Sequence, residues 1–171
     1  MSSSGLTTRW RSSRRSRADE VIRVQAEPFD PWAELGGFAR DRGAVGGIAT
    51  FVGLVRDEHR GDRVTAMTLE HYPGMTERQL AALETEACQR WELLDCLVVH
   101  RVGRMSPGDA IVLVATAAAH RQAALDACGF LIDWLKTTAP FWKLEETPDG
   151  ERWVEARASD TAAAARWHGD R

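Results

Sequence analysis

Ala110-Ile-Val-Leu-Val-Ala-Thr-Ala-Ala-Ala119 is the longest glycine-free uncharged apolar run in the chain, and His120-Arg121 follows it at once. A bilayer span needs about 18 or more such residues, so the run reads as a buried strand. Beyond it the period changes. Leu125, Cys128, Ile132 and Leu135 mark the core face of a helix expected from about His120 to Thr137. Pro140 stops that helix, and Ala139 is biased away from helical backbone by the proline after it. A buried strand followed by a long helix is one part of a mixed α+β pattern.

Working outward, Leu94 to Val102 is a second strong strand, joined to the first by a turn around Ser106-Pro-Gly-Asp109. Thr76 heads a helix with Leu80, Leu83, Ala87 and Trp91 on one face. Val64 to Tyr72 is a strand closed by Pro73-Gly74, and the polar stretch Arg56-Asp-Glu-His-Arg-Gly-Asp-Arg63 before it is a loop. Gly43 to Val55 holds the β-rich run Ile48-Ala-Thr-Phe-Val52 between glycines. Val21 to Ala26 alternates as a first strand, and Asp30-Pro31 caps and opens a short helix toward Ala39. At the other end, Phe141–Glu146 and Arg152–Glu155 form a hairpin around Thr147-Pro-Asp-Gly150. The Ala-rich tail from Ser159 is a terminal helix ending near Trp167. The class is α+β, without an internal repeat.

At 171 residues the chain suits one domain with a proper core. Its net charge of −3 hides an asymmetry. Residues 1–17 hold five arginines and no acid, which leaves −8 on the remainder. An acidic body argues against a nucleic-acid-binding face. We therefore read residues 1–18 as a disordered Ser/Arg-rich arm and 19–171 as the domain; a transit peptide and a weak polyanion-binding arm share the arm's composition. Cys88, Cys96 and Cys128 are odd in number and form no Cys-x-x-Cys, and no His cluster has metal-ligand spacing. Reduced thiols in a cytoplasmic protein, with no metal and no membrane role, are the expectation. Phosphate-loop, dinucleotide and Gly-x-Ser-x-Gly motifs are missing, so ATP-driven chemistry has no support.

Of 22 basic residues only Lys136 and Lys143 are lysines, both within Lys136-Thr-Thr-Ala-Pro-Phe-Trp-Lys143. Arginine cannot replace a lysine that must lose its proton or act as a nucleophile. Lysines that survive in an arginine-biased chain therefore point to amine chemistry. Alternation puts Phe141, Lys143 and Glu145 on one face of the extended segment and Trp142 and Leu144 on the other. A helix-to-strand reversal can bring both amines to one cavity, where like charge and partial burial make a neutral amine accessible to act as base or nucleophile. Two exposed lysines, one neutralising a helix C-terminus, is the alternative. His120-Arg121, at a strand-to-helix junction, offers backbone N–H groups and a forked donor for phosphate. Arg56 ends a strand at a loop, a usual place for functional groups. His71 reads as turn-stabilising and His100 as structural, while His59 and His168 read as solvated.

With these residues in view, the sequence resembles the MoaE family, the catalytic (large) subunits of molybdopterin synthase. The matching stretches are Thr50-Phe-Val-Gly-Leu-Val-Arg56, Leu69-Glu-His-Tyr-Pro-Gly-Met-Thr76, His100-Arg-Val-Gly103, Pro107-Gly-Asp109 and Ala119-His-Arg121. Strongest is Leu135-Lys-Thr-Thr-Ala-Pro-Phe-Trp-Lys-Leu-Glu145, followed by Arg152-Trp-Val-Glu-Ala156. Order and spacing hold over roughly residues 20–167, and the basic arm lies outside.

The resemblance implies an α/β hammerhead-type domain with an additional antiparallel β subdomain. It implies a cytoplasmic sulfurtransferase, without a cofactor of its own, that turns cyclic pyranopterin monophosphate into molybdopterin by adding two sulfurs as a dithiolene. The sulfur donor it implies is the C-terminal Gly-Gly thiocarboxylate of a small ubiquitin-like carrier subunit. The assembly it implies is a homodimer of this chain, a heterotetramer with carrier. By position, Lys136 and Lys143 would be the catalytic lysines. Arg56, His120 and Arg121, with backbone at Leu54 and Val55, would bind the substrate, and Leu144 and Glu145 would line the pocket beside Lys143. Arg157 is a further candidate. Leu54 and Leu144 depart from the basic or polar residues many relatives carry, so no side-chain anion contact is expected from either. A non-catalytic scaffold for a ubiquitin-like tail and a carrier-independent acid–base enzyme such as a pterin lyase stay open beside this reading.

Overall fold

The computed structural model describes residues 21–39, 43–59, 61–137, 140–154 and 158–168. In chain order the elements are β1 (Ile22–Gln25), α1 (Pro31–Gly37), β2 (Gly47–Leu54), β3 (Glu58–His59), β4 (Asp62–Arg63), β5 (Ala66–His71) and α2 (Met75–Arg90). They continue with β6 (Asp95–Arg101), β7 (Gly103–Met105), β8 (Ala110–Ala118), α3 (Arg121–Thr137), β9 (Phe141–Thr147), β10 (Gly150–Val154) and α4 (Ala158–Ala165), closed by a 3-10 turn at Arg166–His168. The arm expected over 1–18 falls outside the described residues.

The uncharged run is β8, at the middle of a four-stranded sheet ordered β1-β6-β8-β2. Alternation explains why it can be apolar throughout. Val114 and Ala118 face a core shared with Cys96, Val98, Cys128 and Leu131 under α2 and α3, while Leu113 and Ala115 face Leu97, Val99, Leu35 and Phe38 on the α1 side. Two buried faces leave no position for a polar residue except Thr116, whose hydroxyl donates to the Ala124 carbonyl at 2.8 Å. Asp30 caps α1 as expected, its carboxylate accepting from the Trp32 N–H at 2.9 Å.

One helix position turns out differently. Leu125 is 56% exposed, and the buried stripe of α3 runs through Ala124, Ala127, Cys128, Leu131 and Leu135. Alanines at 124 and 127 let the helix lie close on the sheet, so small residues define the contact face and the larger leucine beside them stays in solvent. At the far end of the chain, Trp167 donates its indole N–H to Asp133 at 2.8 Å and packs edge-on against Trp91 and Phe130. That contact docks the terminal turn onto α3.

The second sheet, β10-β9-β5-β7, is antiparallel. β7 was not expected from sequence; three residues long, it leaves the β6 line at Gly103 (φ +82°) and joins β5 instead. The inner face of this sheet carries Met67, Leu69 and Met105, which pack with Val55 and Ile111 from the end of the first sheet. The Arg56–Arg63 segment, expected to be a plain loop, folds into the short β3–β4 hairpin, with Gly61 at φ +89° allowing the tight reversal. No described helix is long and apolar enough to cross a membrane.

Candidate functional site

Where the two sheets meet, the backbone is pinned before any side chain is placed. β2 changes register between Gly53 and Leu54. The next residue, Val55, is then held by the 106–109 turn: its N–H donates to the Asp109 carbonyl at 2.9 Å and its carbonyl accepts from Gly108 at 2.8 Å. Asp109 is held in turn by the Arg101 guanidinium and the Ser106 N–H, each at 3.0 Å. Arg56 therefore leaves a fixed point. From the other side β9 pairs Leu69 with Lys143 and Met67 with Glu145. The two-residue period then turns Lys143 and Glu145 inward and leaves Trp142 exposed outward.

Lys143, Glu145, Arg56, His59 and Met67, with Leu54 and Val55, line a cavity of about 40 Å³ at this seam. Glu145 is its electrostatic centre and is only 2% exposed. One carboxylate oxygen pairs with the Lys143 ammonium at 2.6 Å. The other meets His59 Nδ1 at 2.7 Å and the Arg152 guanidinium at 3.2 and 3.3 Å. Arg152 also reaches Asp62 at 2.5 Å and the His59 carbonyl at 3.2 Å. Burial by itself would push the Glu145 carboxyl up, but hydrogen bonds and charge from Lys143 and His59 outweigh it and hold the group down at about 2. Glu145 is thus a carboxylate at neutral pH and an acceptor only, so the proton in its contact with His59 sits on Nδ1.

The strand bearing these groups is anchored at its start. Phe141 stacks on the buried His100 ring with centroids 4.0 Å apart. Burial, partly opposed by a hydrogen bond from Nδ1 to the Arg101 carbonyl, lowers His100 to about 4, so the ring is neutral at physiological pH. His100 is structural, as expected.

The expected site residues divide by place. Leu54, Val55, Arg56, Lys143 and Glu145 come together. Lys136 lies exposed in the last turn of α3, whose course back along β2 and β8 returns it to the same end of the first sheet. Leu144 is on the opposite face of β9 from Lys143, paired across to Thr68 and Trp153, and does not reach the cavity. His120 and Arg121 are exposed at the start of α3. There Gly47 packs against the Arg121 backbone, so both residues sit at the far end of the sheet. Arg121 and Lys136 are 15 helical residues apart, about 22 Å at 1.5 Å per residue. Arg157 lies outside the described residues.

His59 corrects an expectation. Read as solvated, it is 5% exposed and bonded to Glu145. The polar loop hid it, although a glycine two residues on was the signal for a tight hairpin that folds the ring inward. Arg152, expected only as the start of the second hairpin strand and as part of a matching stretch, joins the cluster as well. A turn at Pro148-Asp149 already sets it opposite Glu145 in the β9–β10 register.

The MoaE protein family model matches residues 24–138. The molybdopterin synthase catalytic subunit of Pseudomonas aeruginosa is 55% identical over 147 residues, covering 86% of this chain and 98% of the relative. Among solved structures, the molybdopterin biosynthesis MoaE protein of Burkholderia ambifaria superposes with a TM-score of 0.73 at 52% identity, covering 88% of this chain and 99% of that one. A Helicobacter pylori complex of subunits 1 and 2 of molybdopterin-converting factor shares the fold, with a TM-score of 0.68 at 19% identity over 81% of this chain and 92% of that one. With the fold, the lysine-bearing strand and these likenesses in agreement, the chain belongs to the MoaE family, that of molybdopterin synthase catalytic subunits.

Proposed function

We propose that this chain carries out the sulfur-transfer step of molybdopterin synthase at the seam between its two sheets. The substrate class is a cyclic pyranopterin monophosphate, and the donor is the C-terminal thiocarboxylate of a small ubiquitin-like carrier. Two transfers make the dithiolene. Each consumes one thiocarboxylate and leaves the carrier with an ordinary carboxylate. The observation that carries the reading is the Lys143–Glu145 pair inside a cavity completed by Arg56 and the backbone of Leu54 and Val55.

In this reading Arg56 offers the substrate phosphate a forked donor at the rim. Lys143, oriented by Glu145, stabilises negative charge that develops as sulfur adds. Lys136, in solvent on the neighbouring helix end, moves the proton or transiently accepts the substrate. His120 and Arg121, about 22 Å from Lys136 along one helix, contribute to the same site only from a second copy of the chain, so the homodimer is the catalytic unit. The cytoplasm is the compartment we assign, supported by free thiols at Cys88, Cys96 and Cys128.

The test mixes the chain with thiocarboxylated carrier and cyclic pyranopterin monophosphate and measures molybdopterin. Lys136→Ala is expected to abolish product while the circular dichroism spectrum and oligomeric state stay native. Normal turnover by that variant overturns the assignment.

A further inference from the structure

Lys143 is held through a relay that begins on a different element. His59 sits on β3, three residues after Arg56, and its Nδ1–H donates to one Glu145 oxygen at 2.7 Å. The other Glu145 oxygen holds the Lys143 ammonium at 2.6 Å. A carboxylate has one plane, so the direction of the first bond fixes where the second oxygen points. Arg152 shares the His59-facing oxygen, but at 3.2 and 3.3 Å, and its guanidinium is also drawn to Asp62. Of the contacts on that oxygen, the imidazole's is the shortest. Removing it leaves Glu145 to an arginine with competing partners.

We propose that His59 is a positioning residue for Lys143: through Glu145 it sets the spacing between the hairpin that follows Arg56 and the strand bearing Lys143. The inference rests on the reading of Lys143 as a site amine. An anion held at Arg56 and an amine held at Lys143 serve one substrate only if their separation is fixed, and a misplacement of about 1 Å in such a constellation can cost on the order of 100-fold in rate. Within the cavity, the His59–Glu145 contact is a direct side-chain link between the two walls. Among the described residues, the charged groups around it are Lys143 and Glu145 on β9, Arg152 on β10, Glu58 on β3, Asp62 and Arg63 on β4, and Arg56 and Asp57 on the segment leading into the hairpin.

Two amide substitutions separate this role from mere packing. Asn places an N–H near the position of Nδ1, whereas Gln places it near that of Nε2. Both keep a polar side chain in the pocket, so both are expected to fold even if His59→Ala does not. Each variant is assayed as the full chain with thiocarboxylated carrier and cyclic pyranopterin monophosphate, reading kcat, KM and thermal midpoint. His59→Asn is expected to keep kcat within about threefold of wild type, and His59→Gln to lose about 10- to 100-fold in kcat with little change in the KM for carrier. Equal activity of the two variants, high or low, overturns the proposal, as does a loss in His59→Gln that resides wholly in KM. Lys143→Ala is run alongside. If it turns over normally, the reading of the site fails together with this inference. If it is inactive while His59→Gln is unimpaired, the inference alone fails.

Discussion

Glu145 gathers an ammonium, an imidazole and a guanidinium around one carboxylate with almost no access to water. A buried ion cluster of this kind is costly to assemble and more costly to break, because removing one partner strands the others. Its linkage to pH has a definite sign. The folded-state value near 2 lies below the ordinary 4.5, so between these the unfolded chain binds more protons and stability falls as pH drops through that window. His100 acts in the same direction at higher pH: it is lowered from 6.5 to about 4 by burial, so the unfolded chain again takes up the proton first. Urea midpoints are therefore expected to decline from pH 6.5 to 4 through His100 and further below 4.5 through Glu145. His100→Asn, if folded, should flatten the first decline and Glu145→Gln the second; unchanged slopes in both variants would refute the assignments. At this scale the sequence was legible where alternation decides, as in setting Lys143 and Glu145 on one face of β9. It was opaque where a polar residue in a polar loop gives no hint of burial, as at His59.

Elements were easier to read than residues because periodicity is a property of many positions at once. The β8 run, the α2 face and the β9–β10 hairpin follow from alternation, helical spacing and a two-residue turn. Leu125 departs from its expected place because close helix–sheet packing selects small residues such as Ala124 and Ala127. The β3–β4 hairpin and β7 were missed because two- and three-residue strands carry no period. Gly46 and Gly47, unremarkable as a motif, have a steric role: a Cβ at Gly46 would collide with the Ala119 carbonyl oxygen, which is backbone and cannot rotate away. Gly46→Ala is thus expected to destabilise the chain by about 1–3 kcal/mol, measured by chemical denaturation. A native midpoint would mean that the β2–α3 junction is slack.

The whole molecule places its candidate anion ligands at two ends of one sheet, Arg56 at the seam and His120-Arg121 at the start of α3. This separation could not be read from sequence, where all three are simply basic or imidazole positions near strand ends. It yields a prediction about assembly. Lys136→Ala and Arg121→Ala chains, each inactive alone, are expected to recover about a quarter of wild-type activity when co-expressed, since random two-fold pairing makes half the dimers mixed and each mixed dimer restores one of its two sites. Absence of recovery would show that the two residues do not meet across a dimer. The lysine pair has a consequence for observation as well. With one amine in solvent at Lys136 and the other 31% exposed and bonded to Glu145, growth on lysine carrying nitrogen-15 at the side-chain amine gives a magnetic resonance spectrum with two side-chain signals. One should exchange its protons with water freely and the other slowly, so arrival of substrate or carrier can be followed at the site without attaching a foreign probe.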